Sequence, residues 1–456
     1  MRRQLAPGVW PLVENPMAAS DTFFLGDYDF PDYSGRDVPE RPQRVLYIRL
    51  DGIGDAVLSG PLPGAIRALY PDAELVAVCD VLCEDLFRRN PHVDRVLAFD
   101  KYRLGRKDYF GRAVKIVAAL RADLAFNLVG SNNFTGFALS FLSGAPVILG
   151  ANDCACIDAR GRDFFASRAL RVLRPADKQP PDTPHSAPHN TREAAPLPET
   201  QRYRALFALL GGDASAYGPR LWLGDDDYAA AAAVWRESGL APERTLALFA
   251  SGGFAVRDYL HFGEALAPLC RERGLSILAL GGGERETLIN EYCVAVLQDE
   301  GVPALNYCGK LSVTASAAAL AGCRLAVGTE TGLAHMACAL GVPQAVLLGG
   351  GHFGRFMPYS PLTTAISLPL ECYGCDWLCR YPEAVCVKEL SPSFLGKAVE
   401  VALDRPGGGR FGRVLLQTPS AWRPQKGGPA WKSPQEFISR CKAVGGEDAL
   451  EVRIIR

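Results

Sequence analysis

Arg44-Val45-Leu46-Tyr47-Ile48-Arg49-Leu50 runs directly into Asp51-Gly52-Ile53-Gly54-Asp55-Ala56-Val57-Leu58-Ser59-Gly60-Pro61. The join between these two stretches decides the fold. The first is a compact apolar run of strand length. The second opens as a glycine-containing turn, and 65–70 beyond it reads as helical. The same rhythm continues downstream. Residues 74–78, 95–99 and 124–128 read as strands, and 81–89 and 114–121 as helices between them. Short apolar strands alternating with helices imply a parallel sheet covered on both faces.

The rhythm breaks at 175–200, a polar, proline-rich stretch that reads as a loop inside the first domain. A helix-like segment over 199–210 then reaches Gly211-Gly212-Asp213. The alternation resumes with strands at 245–250, 276–280, 324–327 and 344–348 and helices at 262–273, 333–340 and 391–403. The expected organisation is an extended arm over 1–43, a Rossmann-like domain over 44–217, a second over 218–404, and a loose Gly/Arg-rich tail over 405–456. The fold class is α/β, two tandem doubly wound domains with a cleft between them. That outline serves transferases, epimerases and dehydrogenases alike, so function rests on the motifs.

Composition narrows the classes. The chain has 456 residues, 48% hydrophobic and 22% charged, with a formal net charge of −1. The length exceeds one compact core, and the charge balance gives no sign of a nucleic-acid binder. The fourteen cysteines are scattered through apolar or helical segments, as free thiols in a reducing compartment would be. No secretory signal and no membrane-length apolar run is present. The expectation is a cytoplasmic protein, with peripheral contact at the inner membrane surface left open.

Five motifs carry chemistry. Asp55 lies at the carboxyl end of the first strand, the edge where open α/β sheets bind ligands. A carboxylate there can take a proton from an attacking hydroxyl or simply cap the helix. Its surroundings lack the G-x-G-x-x-G spacing of dinucleotide sites. Ser251-Gly252-Gly253 through Arg257 follows the first strand of the second domain. Its small residues can bring backbone N–H groups to a phosphate, and Arg257 can pair with phosphate oxygens; the alternative is an ordinary turn with a surface arginine. Gly281-Gly282-Gly283-Glu284 ends another strand, and Glu284 can accept from ribose hydroxyls. Gly328-Thr329-Glu330-Thr331-Gly332-Leu333-Ala334-His335 joins a strand to a helix. Thr331 and Gly332 can donate to a diphosphate at the helix start, Glu330 can accept from sugar hydroxyls, and His335 follows one turn later on the same face. Cys372-x2-Cys375-x3-Cys379-x6-Cys386 places four thiols within fifteen residues, enough for a structural zinc or for unligated packing thiols.

Two of these stretches together resemble glycosyltransferase family 9, the lipopolysaccharide heptosyltransferases and their relatives. They are 45–70, reading VLYIRLDGIGDAVLSGPLPGAIRALY, and 327–348, reading VGTETGLAHMACALGVPQAVLL. The resemblance covers roughly 44–404 and implies a GT-B fold, an inverting, metal-independent transfer, an acceptor-binding first domain and a donor-binding second one. It implies Asp55 as general base. Ser251, Gly252, Arg257, Glu284, Glu330, Thr331, Gly332 and His335 become donor-binding residues. The partners it implies are a nucleotide-diphosphate sugar such as ADP-heptose and a lipid-linked or lipopolysaccharide-type saccharide. The sequence departs from the family in having Glu330 where Asp is usual and Arg257 as the nearest counterpart of a family lysine. Gly349-Gly350-Gly351-His352-Phe353-Gly354-Arg355-Phe356 and the cysteine loop also set it apart, pointing to a subgroup acting on other surface polysaccharides. An isomerase or hydrolase of nucleotide sugars on the same fold, or an inactive sugar-nucleotide-binding relative, are the other readings.

Overall fold

The structure is a computed structural model. It describes residues 37–128, 134–150, 171–172, 199–370, 372, 373, 375, 377, 379, 381–417, 439 and 450–455. Most of the arm expected over 1–43 and nearly all of the loop expected over 175–200 lie outside the described residues. The described chain separates into two units, one holding 37–172 and 201–222, the other 199–200 and everything from Leu223 onward. The change falls a few residues past the boundary expected near 218. Arg220 still donates its N–H to the Val57 carbonyl at 3.2 Å, and Trp222 meets His92 edge to face with ring centroids 6.2 Å apart.

The first unit runs β1 (Arg44–Arg49), α1 (Ile53–Leu58), α2 (Leu62–Leu69), β2 (Glu74–Asp80), α3 (Glu84–Arg88), β3 (Arg95–Phe99), α4 (Lys107–Ala118), β4 (Leu124–Asn127), α5 (Phe134–Phe141), β5 (Ile148–Gly150) and β6 (Arg171–Val172); α6 (Glu199–Leu209) comes next in the chain. The strands pair in the order β3-β2-β1-β4-β5-β6, in parallel at every ladder. A central parallel strand is buried on both faces, so it needs an unbroken apolar run. β1 meets this with Val45 to Ile48 fully buried. Leu46 and Ile48 pack with Val76 and Val78 of β2 and with Phe110 and Val117 of α4 in one core.

The second unit runs α7 (Asp225–Ser238), β7 (Thr245–Phe249), α8 (Phe262–Arg273), β8 (Ser276–Ala279), α9 (Glu284–Asp299), β9 (Ala304–Asn306), α10 (Val313–Gly322), β10 (Leu325–Thr329), α11 (Gly332–Leu340), β11 (Gln344–Leu347), β12 (Thr363–Ser367), α12 (Val385–Lys388), α13 (Pro392–Asp404), β13 (Arg413–Gln417) and β14 (Glu451–Ile455). Its sheet order is β14-β13-β12-β11-β10-β7-β8-β9, again parallel. Counted from each sheet's own first strand, both follow the doubly wound order 3-2-1-4-5-6, and the second adds two strands. The strand order reverses beside β1 in one sheet and beside β7 in the other, and ligands bind at such switch points, outside the carboxyl ends of the strands.

The tail expected to be loose over 405–456 is a correction. Its described parts build β13 and β14, and Val414, Leu415 and Leu416 are fully buried. The apolar run Arg413–Gln417 is short and set among glycines, so only pairing with β12 recruits it. β5, β6, β9 and β12 are further strands that the alternation did not reveal.

Candidate active site

In the first unit, Asp55 sits in the first turn of α1, whose N-cap is Gly52 and has no side-chain cap. The capping role open to Asp55 in the sequence is therefore not the one it plays. A Cβ placed on Gly52 would lie 3.6 Å from Asp55 Oδ2, so the carboxylate folds back over the turn. Beside it stands a buried charge pair. Arg49, with no exposed surface, meets Asp51 Oδ2 at 2.6 Å, donates to the Leu128 carbonyl at 2.9 Å, and donates to Tyr203 Oη at 2.7 Å. A buried arginine is tolerated only when paired in this way. Burial pushes the Asp51 carboxyl up; Arg49 pulls it down, the Asp55 charge adds to the rise, and the net shift is upward. Asp51 and Arg49 flank the base candidate, yet neither was singled out as a site residue in the sequence, where Arg49 closes an apolar run and Asp51 opens the turn.

In the second unit the turns after β7, β10 and β11 share one carboxyl edge. Glu330 is the centre. Its carboxylate lies 3.4 Å from Arg257 Nη1, 3.7 Å from His335 Nε2 and 3.5 Å from His352 Nδ1. Burial alone would raise this carboxyl; the Arg257 guanidinium foremost, with the His335 and His352 rings beside it, outweighs burial and holds it well below the usual carboxylate range. Arg257 also donates to the Glu330 carbonyl at 2.8 Å and lies 3.0 Å from His352 Nδ1. His335, 2% exposed, stacks on Tyr359 at 5.8 Å between centroids, with Nδ1 3.1 Å from its hydroxyl.

Thr331 is the N-cap of α11 but its side chain caps nothing, and its hydroxyl has no hydrogen-bond partner among the described residues. The N–H groups of Ala334 and His335 turn back to the Thr331 carbonyl, leaving the first-turn N–H groups of Gly332 and Leu333 outside the helix's own bonding. Gly252 has a steric reason: a Cβ there would lie 2.6 Å from Thr331 Cγ2, so only glycine lets the β7 turn approach the β10 turn. Ser251 is buried, and its hydroxyl is committed to Asp258 Oδ1 at 2.6 Å. Asp258 is itself ion-paired with Arg285.

Glu284 stands apart from this group. It is exposed at the first position of α9, while its neighbours Arg285 and Glu286 turn inward. Glu286 accepts from the Gly282 N–H at 3.0 Å, and burial pushes its carboxyl up to about 7. The glycine run pointed to Glu284 in the sequence, and only the helix phase shows that Arg285 and Glu286 are the ones that turn inward.

The cysteine loop lies close to Arg257. The Trp377 ring centroid is 5.2 Å from the Arg257 guanidinium and 5.6 Å from the His352 ring. Cys386 accepts from the Gly350 N–H at 3.3 Å; burial pushes its thiol up to about 12, with Cys372, Cys375 and Cys379 adding to the rise. The four thiols are thus within each other's electrostatic reach. Among the described residues, no three His, Cys, Asp or Glu side chains are placed to hold a metal ion. His352 and Trp377 were missed as site residues. The rule that singled out 328–335 applies equally to the turn after β11 and would have found His352.

Two parallel sheets in the same doubly wound order, with polar clusters at their switch points, are the architecture of the GT-B fold. Residues 188–381 match glycosyltransferase family 9 (heptosyltransferase). It is 25% identical over 323 residues to lipopolysaccharide heptosyltransferase 2 of Escherichia coli (strain K12), covering 67% of this chain and 82% of that protein. Among solved structures, the glycosyl transferase family 9 protein from Veillonella parvula DSM 2008 superposes with a TM-score of 0.59 at 16% identity, covering 82% of this chain and 98% of that one. The E. coli ADP-heptose lps heptosyltransferase II gives 0.53 at 19% identity, covering 79% and 98%. None of the described helices is long and apolar enough to cross a membrane.

Proposed function

We propose that this glycosyltransferase moves a heptose, with inversion, from ADP-heptose to a saccharide of the cell surface, lipid-linked or of lipopolysaccharide type. The donor assignment draws on the E. coli relative named for ADP-heptose. The observation that carries the reading is the Glu330 cluster. It joins a guanidinium, two imidazoles, an uncommitted Thr331 hydroxyl and an open helix start at one switch point, which is the equipment for a sugar diphosphate.

In this reading Asp55 takes the proton of the acceptor hydroxyl as that oxygen forms a bond to the anomeric carbon, and the bond from that carbon to the diphosphate oxygen breaks. Arg257, Thr331 and the Gly332 N–H meet the charge that develops on the departing diphosphate. Ser251, already bonded to Asp258, holds the shape of the β7 turn. Glu330, held ionised, orients the Arg257 head and accepts from donor hydroxyls. The reaction takes place in the cytoplasm, at the inner face of the membrane that carries the acceptor.

Incubation with ADP-heptose and cell-envelope saccharide fractions tests this, with the anomeric configuration of the product read by NMR. Transfer with inversion is expected. Hydrolysis of the donor at the same rate without acceptor would replace the reading with a hydrolase, and donor binding without turnover would make the protein a binding relative. The transfer uses no metal, so a chelator leaves initial turnover unchanged. Loss of turnover at unchanged thermal stability would put a metal into the chemistry.

A further inference from the structure

Trp377 joins the candidate donor site from an unexpected direction, since it belongs to the cysteine loop. Three features single it out. Its backbone is left-handed, with φ 61°, a conformation unfavourable for a bulky residue and kept where the surroundings demand it. Its indole lies across the turn after β11: a Cβ on Gly349 would be 2.6 Å from Cη2, and one on Gly351 2.4 Å from Cδ2. The glycines are therefore small to let this ring in. Third, among the described residues its Nε1 is buried with no hydrogen-bond partner, and so are Arg257 Nε, Thr331 Oγ1 and Thr329 Oγ1. Thr329 is 1% exposed.

Unpartnered buried polar atoms are rare and need a reason. Arg257 and Trp377 meet directly, the Arg257 head lying under the indole and donating to the Glu330 carbonyl, and Thr329 and Thr331 flank Glu330 in the chain. An indole N–H and a guanidinium N–H can only donate, and threonine hydroxyls can donate. A set dominated by donors, beside the start of α11, matches an anion with several acceptor oxygens. The loop is also fastened to the β7 turn at its far end, where Lys388 donates to the Ala255 carbonyl at 3.3 Å and contacts the Asp258 carbonyl.

We propose that Trp377 is a donor-binding residue of this enzyme, its indole N–H donating to the diphosphate of the nucleotide sugar, so that the cysteine loop is a wall of the donor site. This deepens the donor-site reading and rests on it.

The test is calorimetric titration of the full chain with ADP. Trp377→Phe keeps an aromatic ring and removes the N–H; it weakens ADP binding about tenfold, the scale of one hydrogen bond to a charged group, and raises KM for the donor more than it lowers kcat. Trp377→His restores a ring donor and recovers part of the affinity, which a merely structural role would not allow. Affinity in Trp377→Phe equal to that of the unmodified protein overturns the proposal, as does equal weakening in both variants. Arg257→Ala separates this from the parent reading: if it leaves ADP affinity unchanged, the donor site itself is misplaced. Absence of ADP binding in the unmodified chain would reject the adenine nucleotide, and the same comparison is then read with GDP and UDP.

Discussion

Two carboxylates of this protein live in opposite environments. Asp55 lies at the edge of a turn near a second carboxylate, Asp51, whose proton burial favours. Glu330 is enclosed by one guanidinium and two imidazoles and stays ionised. Proton transfer by a positioned base contributes on the order of 10²–10⁴ in rate, so Asp55→Asn lowers kcat by about that factor while ADP affinity stays the same. Near-normal turnover in that variant removes Asp55 from the mechanism. Glu330 has a folded pKa below its unfolded value, so it contributes stability that is present above about pH 4.3, the unfolded value, and is lost as pH falls further. Glu330→Gln leaves Arg257 buried without its counter-charge, which costs about 3 kcal/mol at neutral pH. In urea titrations from pH 7 to 3 the gap between the two proteins starts to narrow below about pH 4.3; a gap independent of pH would mean that the pair does not carry the effect.

The candidate donor site is made of turns, and its precision comes from how closely the elements approach. β7 and β10 pair in register from Leu246↔Leu325 to Phe249↔Gly328, which brings the two following turns side by side. Gly252→Ala would place a methyl group 2.6 Å from Thr331 Cγ2, so the turns must part. ADP affinity is expected to fall several-fold, with a smaller loss of thermal stability. An unchanged dissociation constant would show that the two turns do not act together on the donor. The cysteine loop acts at the same scale, since its rings fill the space that the three glycines after β11 leave open: a Cβ on Gly350 would be 2.2 Å from Tyr373 Cδ1. Four clustered cysteines suggested a metal clip. Placed in the fold, the same segment brings an indole to the candidate donor site and a thiol to the Gly350 N–H.

At the scale of the molecule, two sheets share one winding order, and each carries a polar cluster where the strand order reverses. The second sheet extends to β14, so the end of the chain is part of its framework. Truncation after Arg405 removes β13 and uncovers β12, whose Ala365 and Ile366 are now fully buried. The truncated protein is expected to unfold at a temperature lower by several degrees and to aggregate through the bared edge. An unchanged melting temperature would mean that the two last strands are dispensable.

The sequence alone determined the alternation of strands and helices, because buried parallel strands must be written as continuous apolar runs. It also determined the carboxyl-edge position of Asp55, Arg257 and the 328–335 turn, since these follow directly from where each strand ends. It did not show β13 and β14, or which of Glu284, Arg285 and Glu286 turns inward, because a short strand is chosen by its partner and a helix's phase by its packing. Nor did it show that Arg257, Glu330, His335, His352 and Trp377 form one cluster. They are contributed by segments up to 120 residues apart in the chain, and only the parallel register of β7, β10, β11 and β12 places the segments that carry them along one edge.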